Sequence, residues 1–353
     1  MIGSKKKCAI GFALALLLFT QACSLIGPRK PSPLDTLLGR VATNDPAALH
    51  DLAVLYDTGV SVSEVPEAAF TLFKLSAEQG YEMSYSKLGS MYFSGRGTAR
   101  DYDESLVWLE KAATLGHIDS QVKTAHLYQY GLATAVNLVA ALKWYELAAN
   151  QGDPVAQFNA GSILASRGGE ERSLSQDALD WYQLSANQGN RDAQLAMGDI
   201  YRLGKRGAVD NDRAVYWYRR AAQANHPVAQ SHLGDLLSRE TNVSASSAEA
   251  FGWYQKAAQQ NHVPAQARLG ELHLNGIGTP QSYEKALRWL AIAAEKGEPA
   301  AQCNLGNMYF RGLGVAQDFE LAREWFERAS NSTPRGVVAV LGLMRSDCQK
   351  LFN

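Results

Sequence analysis

Apolar and polar residues alternate along this chain with a helical period. Ala141, Trp144, Tyr145 and Ala148 stand at i, i+3, i+4 and i+7, as do Ala214, Trp217, Tyr218 and Ala221, so each set lines one face of a helix. Between such stretches runs a second pattern built on smaller residues: Leu88-Gly89-x-x-Tyr92, Met197-Gly198-x-x-Tyr201, Leu269-Gly270-x-x-His273 and Leu305-Gly306-x-x-Tyr309. It usually follows Ala-Gln, as in Ala156-Gln157, Ala193-Gln194, Ala229-Gln230, Ala265-Gln266 and Ala301-Gln302. The two patterns predict two kinds of amphipathic helix in alternation. A glycine inside the first kind gives up about 1 kcal/mol of helix propensity, a loss that makes sense if the second helix must approach its backbone closely.

The pair is a repeating unit. Gly80, Gly116, Gly152, Gly189, Asn225, Asn261 and Gly297 are spaced by 36 residues, with one interval of 37. Slots are numbered from the residue after each of these, with one insertion allowed near Gly168. Slot 28 then holds Trp108, Trp144, Trp181, Trp217, Trp253, Trp289 and Trp325, all seven tryptophans of the protein. Slots 4, 8, 11 and 12 form the apolar stripe of the first helix. Gly95-Arg96-Gly97, Gly276-Ile277-Gly278 and Gly312-Leu313-Gly314 fall between the helices. They follow a helix rather than a strand and lack a third glycine, so they read as turns and not as phosphate loops. The closing Gly or Asn suits the left-handed conformation that ends a helix. Repeats are expected at 45–80, 81–116, 117–152, 153–189, 190–225, 226–261, 262–297 and 298–333. Leu34 to Thr43 reads as a half-unit second helix. Leu341-Gly342, 36 residues after Leu305-Gly306, marks a closing first helix within 334–353. The sum is about 18 helices. Two turns depart from the pattern and are expected to be irregular: the inserted one, with Arg167 at the turn glycine, and the one carrying Glu240 and the polar run Thr241, Asn242, Ser244, Ser246 and Ser247.

The pattern L-G-x-x-Y-x-x-G-x-G followed by A-x-x-W-Y-x-x-A-A-x-x-G resembles the Sel-1-like repeat, a relative of the tetratricopeptide repeat, from about Asn44 to Thr333. The resemblance implies an all-α fold: an α/α solenoid, a right-handed superhelix of about eight helix-turn-helix repeats with half-repeat caps, occupying residues 34–353. Such an array has a quasi-one-dimensional core of nearest-neighbour contacts. A length of 353 residues that would otherwise suggest two or three domains is thus accounted for by one array.

The first residues differ from the rest. Lys5, Lys6 and Lys7 precede an apolar run from Ala9 to Phe19 and then Thr20-Gln21-Ala22-Cys23, the layout of an export signal. The run is too short to span a bilayer as a stable helix. This segment resembles a bacterial lipoprotein signal, which implies cleavage of residues 1–22 and acylation of Cys23, although Thr20 stands where that family usually has Leu. Small residues at Thr20 and Ala22 also suit ordinary signal cleavage, with a soluble periplasmic or secreted product. Ser24 after the cysteine implies, by the same resemblance, the outer membrane, with the protein facing the periplasm. Residues 23–33, with Pro28, Pro31 and Pro33, read as a tether. The whole chain has a formal charge of −1; removing residues 1–22 takes away three lysines and no acid, leaving 31 basic and 35 acidic residues, or −4. That balance excludes the basic footprint of nucleic-acid binding.

The sequence holds no catalytic constellation: no Gly-x-Ser-x-Gly, His-Glu-x-x-His, Walker lysine loop or zinc-ligand spacing. Asp210-Asn211-Asp212 begins like a calcium loop but lacks its glycine and closing glutamate. His117, His226 and His262 share slot 1, and neighbouring copies about 10 Å apart are too distant to share a metal. They read as turn residues, and His273, in a core slot, as a buried histidine with its hydrogen bonds satisfied. Cys303 and Cys348 fall about nine residues apart along adjacent parallel helices, roughly 14 Å and beyond disulfide reach. The Cys-rich branch of the repeat family pairs a cysteine within each unit. This chain does not, which weakens transfer of that branch's hydrolase-like role on peptidoglycan or β-lactams. No cofactor, metal or small-molecule substrate is expected, and no enzyme activity.

A partner is expected on the side of the first helix opposite the buried stripe, where slots 3, 6, 10 and 13 fall. In solenoids of this kind that side lines the concave face. There the sequence stops repeating. Slot 10 runs Ser90, His126, Ser162, Asp199, Asp235, Glu271 and Asn307, and slots 6 and 13 add Phe158, Leu195, Phe93, Leu274 and Phe310. These residues are the candidate contacts of one or more envelope proteins held by a lipid-anchored scaffold. The resemblance extends to Sel-1-like lipoproteins that scaffold exopolysaccharide secretion. The alternative is a secreted or surface-exposed factor that engages a host protein.

Overall fold

The computed structural model describes residues 32–167, 174–205, 207–239 and 244–331. The signal segment 1–22, Cys23, most of the tether, the closing segment 334–353 with Cys348, and residues 168–173 and 240–243 of the two turns expected to be irregular lie outside the described residues, whereas Ser244, Ser246 and Ser247, expected in the second of those turns, open a helix. Among the described residues there are 17 helices and no strand. The chain divides into two compact units that meet in sequence at Arg167 and Gly168, in the repeat with the insertion.

The first unit contains α1 (Pro33–Ala42), α2 (Pro46–Thr58), α3 (Pro66–Glu78), α4 (Met83–Ser94), α5 (Tyr102–Thr114), α6 (Ile118–Tyr130), α7 (Leu138–Asn150) and α8 (Pro154–Ser166). The second contains α9 (Gln176–Asn187), α10 (Arg191–Leu203), α11 (Asn211–Gln223), α12 (Pro227–Arg239), α13 (Ser244–Gln259), α14 (Val263–Asn275), α15 (Tyr283–Glu295), α16 (Pro299–Arg311) and α17 (Phe319–Asn331). From α2 onward the even-numbered helices are first helices and the odd-numbered ones second helices; α1 is the half-unit second helix expected at 34–43. Within each unit every helix packs on its neighbours in sequence, and first helices of adjacent repeats also touch, as α4 with α6 and α14 with α16. This is α/α-solenoid packing within each unit.

Most helices of 13 residues start and stop where local chemistry dictates. Asp45, Asp101, Asp153, Asn190, Asp210 and Ser282 cap N-termini by accepting backbone N–H bonds. Asp210, which opens the calcium-like triplet, is therefore a helix cap. Most first helices end at glycines with positive φ, such as Gly95 at 77° and Gly276 at 70°, whereas α8 ends at Arg167 with φ −80°. Second helices end two residues before Gly80, Gly116, Gly152, Gly189, Asn225, Asn261 and Gly297, all left-handed as the closing pattern predicts.

The stripe of slots 4, 8 and 11 is buried in the repeats, for example Ala193, Met197 and Ile200 in α10 and Ala301, Leu305 and Met308 in α16, apart from the half-buried Leu55; slot 12 is buried at Tyr92, Leu237 and His273 and half-buried at Tyr128, Leu164, Tyr201 and Tyr309. Beside the stripe, the slot-9 glycine meets the large slot-29 residue of the second helix. A Cβ at Gly89 would lie 2.7 Å from Leu109 Cγ, one at Gly270 2.6 Å from Leu290 Cγ, and one at Gly306 2.7 Å from Phe326 Cε1. The close approach inferred from the sequence is thus present. The turns lock one repeat to the previous one as well: Arg96 donates to Glu64 at 2.8 Å and pairs with Asp57 at 3.0 Å.

A second inter-repeat device sits in the Ala-Gln pair. The slot-5 glutamine is buried, and its Nε2 donates to the slot-33 carbonyl of the preceding second helix. Gln121 bonds Ala113 O at 3.1 Å, Gln157 Ala149 O at 3.2 Å, Gln194 Ala186 O at 3.0 Å, Gln230 Ala222 O at 3.1 Å, Gln266 Ala258 O at 3.2 Å and Gln302 Ala294 O at 3.0 Å. Each of these carbonyls, at a helix C-terminus, also accepts from the backbone N–H of the closing Gly or Asn, as Ala113 O does from Gly116 at 3.0 Å, so the glutamine supplies a second bond that crosses to the next repeat. The glutamine oxygen then accepts from slot 35 of its own repeat: Gln151 to Gln121 at 2.7 Å, Gln260 to Gln230 at 2.8 Å, Lys296 to Gln266 at 3.2 Å. Where slot 35 is Ala224, Gln194 Oε1 is buried with no hydrogen-bond partner among the described residues.

Candidate partner-binding face

All ten residues singled out for the variable side of the first helices, Phe93, His126, Phe158, Leu195, Asp199, Asp235, Glu271, Leu274, Asn307 and Phe310, are half-buried. They stand at the margin of the core, with part of each side chain in contact with solvent and part engaged within the fold.

The engagements follow position. At slot 13, near the C-terminal end of the first helix, Phe93 packs edge-on against Tyr102, with ring centroids 5.6 Å apart, and Phe310 against Phe319 at 5.5 Å. Each pairs with the first residue of the second helix in its own repeat, across the turn. Leu195 and Leu274 pack on the buried clusters of the second unit. His126 meets Tyr130 edge-on at 4.9 Å, and burial lowers its pKa.

The slot-10 acids are more constrained than their periodicity alone suggests. Tyr218, fully buried in α11, donates its hydroxyl to Asp199 at 2.6 Å, and Arg202 reaches both, with Nε 2.8 Å from the Tyr218 hydroxyl and Nη2 3.2 Å from Asp199. Tyr254 donates to Asp235 at 2.7 Å in the same way. A basic side chain from slot 7 of the next repeat completes the arrangement. His232 Nδ1 lies 3.5 Å from Asp199, Arg268 Nε 3.8 Å from Asp235, and Arg268 Nη1 2.9 Å from Glu271. In the first unit Lys123 makes the equivalent reach to Ser90 at 2.8 Å. Burial alone would raise the Asp199 carboxyl, but His232, the Tyr218 hydroxyl and Arg202 together hold it down at about 2. Burial and Asp199 in turn push the Tyr218 hydroxyl up. Each acid of the row is therefore held by a partner from its own or the next repeat. The row presents alternating carboxylate and guanidinium or imidazole groups, suited to polar contacts with a protein surface.

The histidines of slot 1 are helix caps: Nδ1 of His117, His226 and His262 accepts from Ser120 N at 3.2 Å, Ala229 N at 3.3 Å and Ala265 N at 3.4 Å. No group of three or more metal-ligating side chains is found among the described residues. His273 corrects an expectation. It is buried against Phe251, as its slot requires, yet its Nδ1 has no hydrogen-bond partner among the described residues. The imidazole replaces a tyrosine whose hydroxyl would extend further, so its ring nitrogen stops short of a polar group. On the second helices, slot 31 places Lys111, Arg220, Lys256 and Arg328 over the rings of Trp108, Trp217, Trp253 and Trp325, at 4.0, 5.2, 4.2 and 4.5 Å from the centroids. Four of the seven tryptophans are thus covered by cations one helical turn away.

Comparison with known proteins agrees with this architecture. No curated protein matches the sequence. Among solved structures, the chain is similar to a Sel1 repeat protein from Oxalobacter formigenes, with a TM-score of 0.64 and 30% identity over 86% of each chain. It is also similar to c5321, a protective antigen of uropathogenic Escherichia coli strains displaying an SLR fold, with a TM-score of 0.62 and 29% identity over 84% of this chain and 71% of that one. The Sel1 repeat model matches eight consecutive segments, 46–81, 83–117, 118–153, 154–190, 191–226, 227–262, 263–298 and 299–333. The chain belongs to the Sel1 repeat family.

Proposed function

We propose that this protein is a non-enzymatic adapter, acylated at Cys23 and held in the bacterial outer membrane facing the periplasm, that binds envelope proteins along the variable side of its first helices. Repeats of this class are generally protein-interaction scaffolds. The observation that carries the reading is the division of labour within the repeat. Slots 4, 5, 8, 9, 11, 28 and 29 are committed to packing and inter-repeat hydrogen bonds, whereas slots 10 and 13 change from unit to unit and keep part of each side chain in solvent, as do Phe158 and Leu195 in slot 6, a slot that is buried at Ser231, Ala267 and Cys303. Individually tailored positions on a repeated scaffold are what a surface adapted to a particular partner requires. A complex for exopolysaccharide secretion is one assembly such an adapter would serve.

Three experiments test the reading. Blocking lipoprotein signal peptidase should leave the precursor unprocessed, and Cys23→Ser should move the protein out of the membrane fraction; unchanged processing or retained fractionation contradicts the anchor. Purified mature protein should turn over neither peptidoglycan nor β-lactams, and turnover at ordinary enzyme rates contradicts the adapter. A second reading is favoured by the likeness to c5321, which is a protective antigen: a surface-exposed chain that engages a host protein. Labelling of intact cells with antibody distinguishes the two, because a periplasm-facing adapter is reached only after the outer membrane is permeabilised.

A further inference from the structure

In the first unit, the turn between α6 and α7 differs from the others. From Lys123 to Lys143 the chain carries no Asp, Glu, Lys or Arg. The preceding turns hold Glu64, paired with Arg96, and Arg96, Arg100 and Asp101. The charge-free turn instead exposes Tyr130 (56%), Val136 (61%) and Val139 (72%), with Leu132 and Leu138 beside them. A run of exposed aliphatic side chains with a tyrosine at its margin is the composition of a surface that meets something apolar.

Topology states which edge this turn occupies. First helices end, and second helices begin, at one edge of the unit. There Arg96 of one turn bonds Asp57 and Glu64 of the turn before, and Arg167 Nη2 reaches Leu138 O at 3.3 Å from the turn after. Helix α1 packs as a second helix against α2 and joins it through a tight turn at Thr43–Asp45, so its start at Ser32 lies at this same edge. Nine residues separate Cys23 from Ser32, a reach of roughly 30 Å at full extension. Three helix layers from α1 to the apolar turn cover a similar length, roughly 25–30 Å. We infer that the Tyr130–Val139 turn is a membrane contact: with the chain tethered at residue 23, this edge lies against the bilayer and the turn seats its aliphatic side chains at the lipid interface. Tyrosine suits that boundary because its ring is apolar and its hydroxyl wet. Lys143, exposed at the end of the charge-free stretch, is placed to meet phosphate headgroups.

The inference rests on the proposed anchor only for how the chain is held, so the test supplies the tether independently. The chain from residue 23, with Cys23→Ser, Cys348→Ser and an N-terminal histidine tag, is held on phosphatidylethanolamine/phosphatidylglycerol vesicles containing nickel-chelating lipid. An environment-sensitive fluorophore is placed at Val139→Cys or, as control, at Leu115→Cys, exposed at the opposite edge where α5 ends. Nitroxide-labelled lipid should quench the label at 139 several-fold more than that at 115, and Val136→Asp with a label still at 139 should abolish the difference. Equal quenching at the two sites on protein that floats with the vesicles overturns the inference and leaves the turn to water or to a protein. Mass spectrometry of the natural mature chain reads acylation of Cys23 separately, so loss of the anchor and loss of the membrane contact are told apart.

Discussion

Two glycines in one helical hairpin should respond to alanine in opposite directions. Gly234 lies in α12 and faces the Tyr254 ring: an added Cβ would stand 2.9 Å from Cζ and 3.0 Å from both Cε atoms, against about 3.4–4 Å for an ordinary contact. Tyr254 is buried and its hydroxyl is held by Asp235 at 2.7 Å, so the ring yields only by weakening that bond. Overpacking of this kind costs about 1–3 kcal/mol, and the alanine returns about 1 kcal/mol of helix propensity. With the strained hydrogen bond added, Gly234→Ala should destabilise the protein by about 1–2 kcal/mol. Gly252, inside α13, has nothing within 4 Å of the Cβ position. Gly252→Ala should therefore stabilise by about 0.5–1 kcal/mol. Urea denaturation followed by far-ultraviolet circular dichroism and tryptophan fluorescence gives both shifts on one protein; coincidence of the two probes is needed before midpoints are compared, because repeat arrays need not unfold in one step. A neutral or stabilising Gly234→Ala, or equal effects at the two sites, refutes the argument that close helix approach is why slot 9 is glycine.

Ala224→Gln places a donor at slot 35 beside the unpartnered Gln194 Oε1 and should raise stability by about 0.5–1.5 kcal/mol in the same assay; no gain contradicts the glutamine relay. His226 and His262 cap helices through an unprotonated Nδ1, and burial lowers both pKa values below the ordinary 6.5, with Asp192 opposing it at His226 and His232 adding to it at His262. Because the folded pKa lies below the unfolded one, the stability these caps supply is complete above about pH 6.5 and is lost as pH falls through the lower folded value. The urea midpoint should therefore fall on going from about pH 7.5 to 5, and the double variant His226→Asn, His262→Asn, which keeps a capping oxygen, should flatten that decline. Tyr218→Phe removes the hydroxyl that helps hold Asp199 down at about 2. The Asp199 carboxyl should then titrate higher when followed by NMR, and an unchanged value refutes the assigned partner.

What could be read from the sequence was whatever repeats. The period placed the slot-9 residues, glycine in six repeats and alanine at Ala53 and Ala125, the left-handed closing residues and the buried stripe, since each is a local or nearest-neighbour requirement that recurs along the array. Long side chains that cross between helices were harder to see. The recurrence of Gln121, Gln157, Gln194, Gln230, Gln266 and Gln302 was visible, but periodicity places a residue on a face and does not state which carbonyl its amide reaches. The slot-10 acids show the same gap. Asp199 and Asp235 are the two aspartates of that slot, and both occur in units with tyrosine at slot 29, whereas Ser90, Glu271 and Asn307 occur with Leu109, Leu290 and Phe326. Tyrosine also fills slot 29 at Tyr145 and Tyr182, in the units with His126 and Ser162 at slot 10, so the pairing was only a partial signal for the Tyr218–Asp199 and Tyr254–Asp235 bonds. The slot-1 histidines, placed in turns by the sequence, are recognisable as caps once aligned with Asp45, Asp153 and Asn190, which share their slot.

The central claim is that the variable side of the first helices binds a protein in the cell envelope. Its most direct measurement is site-specific photocrosslinking in living cells from Glu271, on that side, compared with Tyr216, exposed on second helix α11. The account predicts discrete protein adducts from position 271 that are absent from 216 and are lost when Leu274 and Asn307 are both replaced by arginine. Adducts of equal yield from both positions, or none from 271 in cells where the protein is folded and processed, would contradict it.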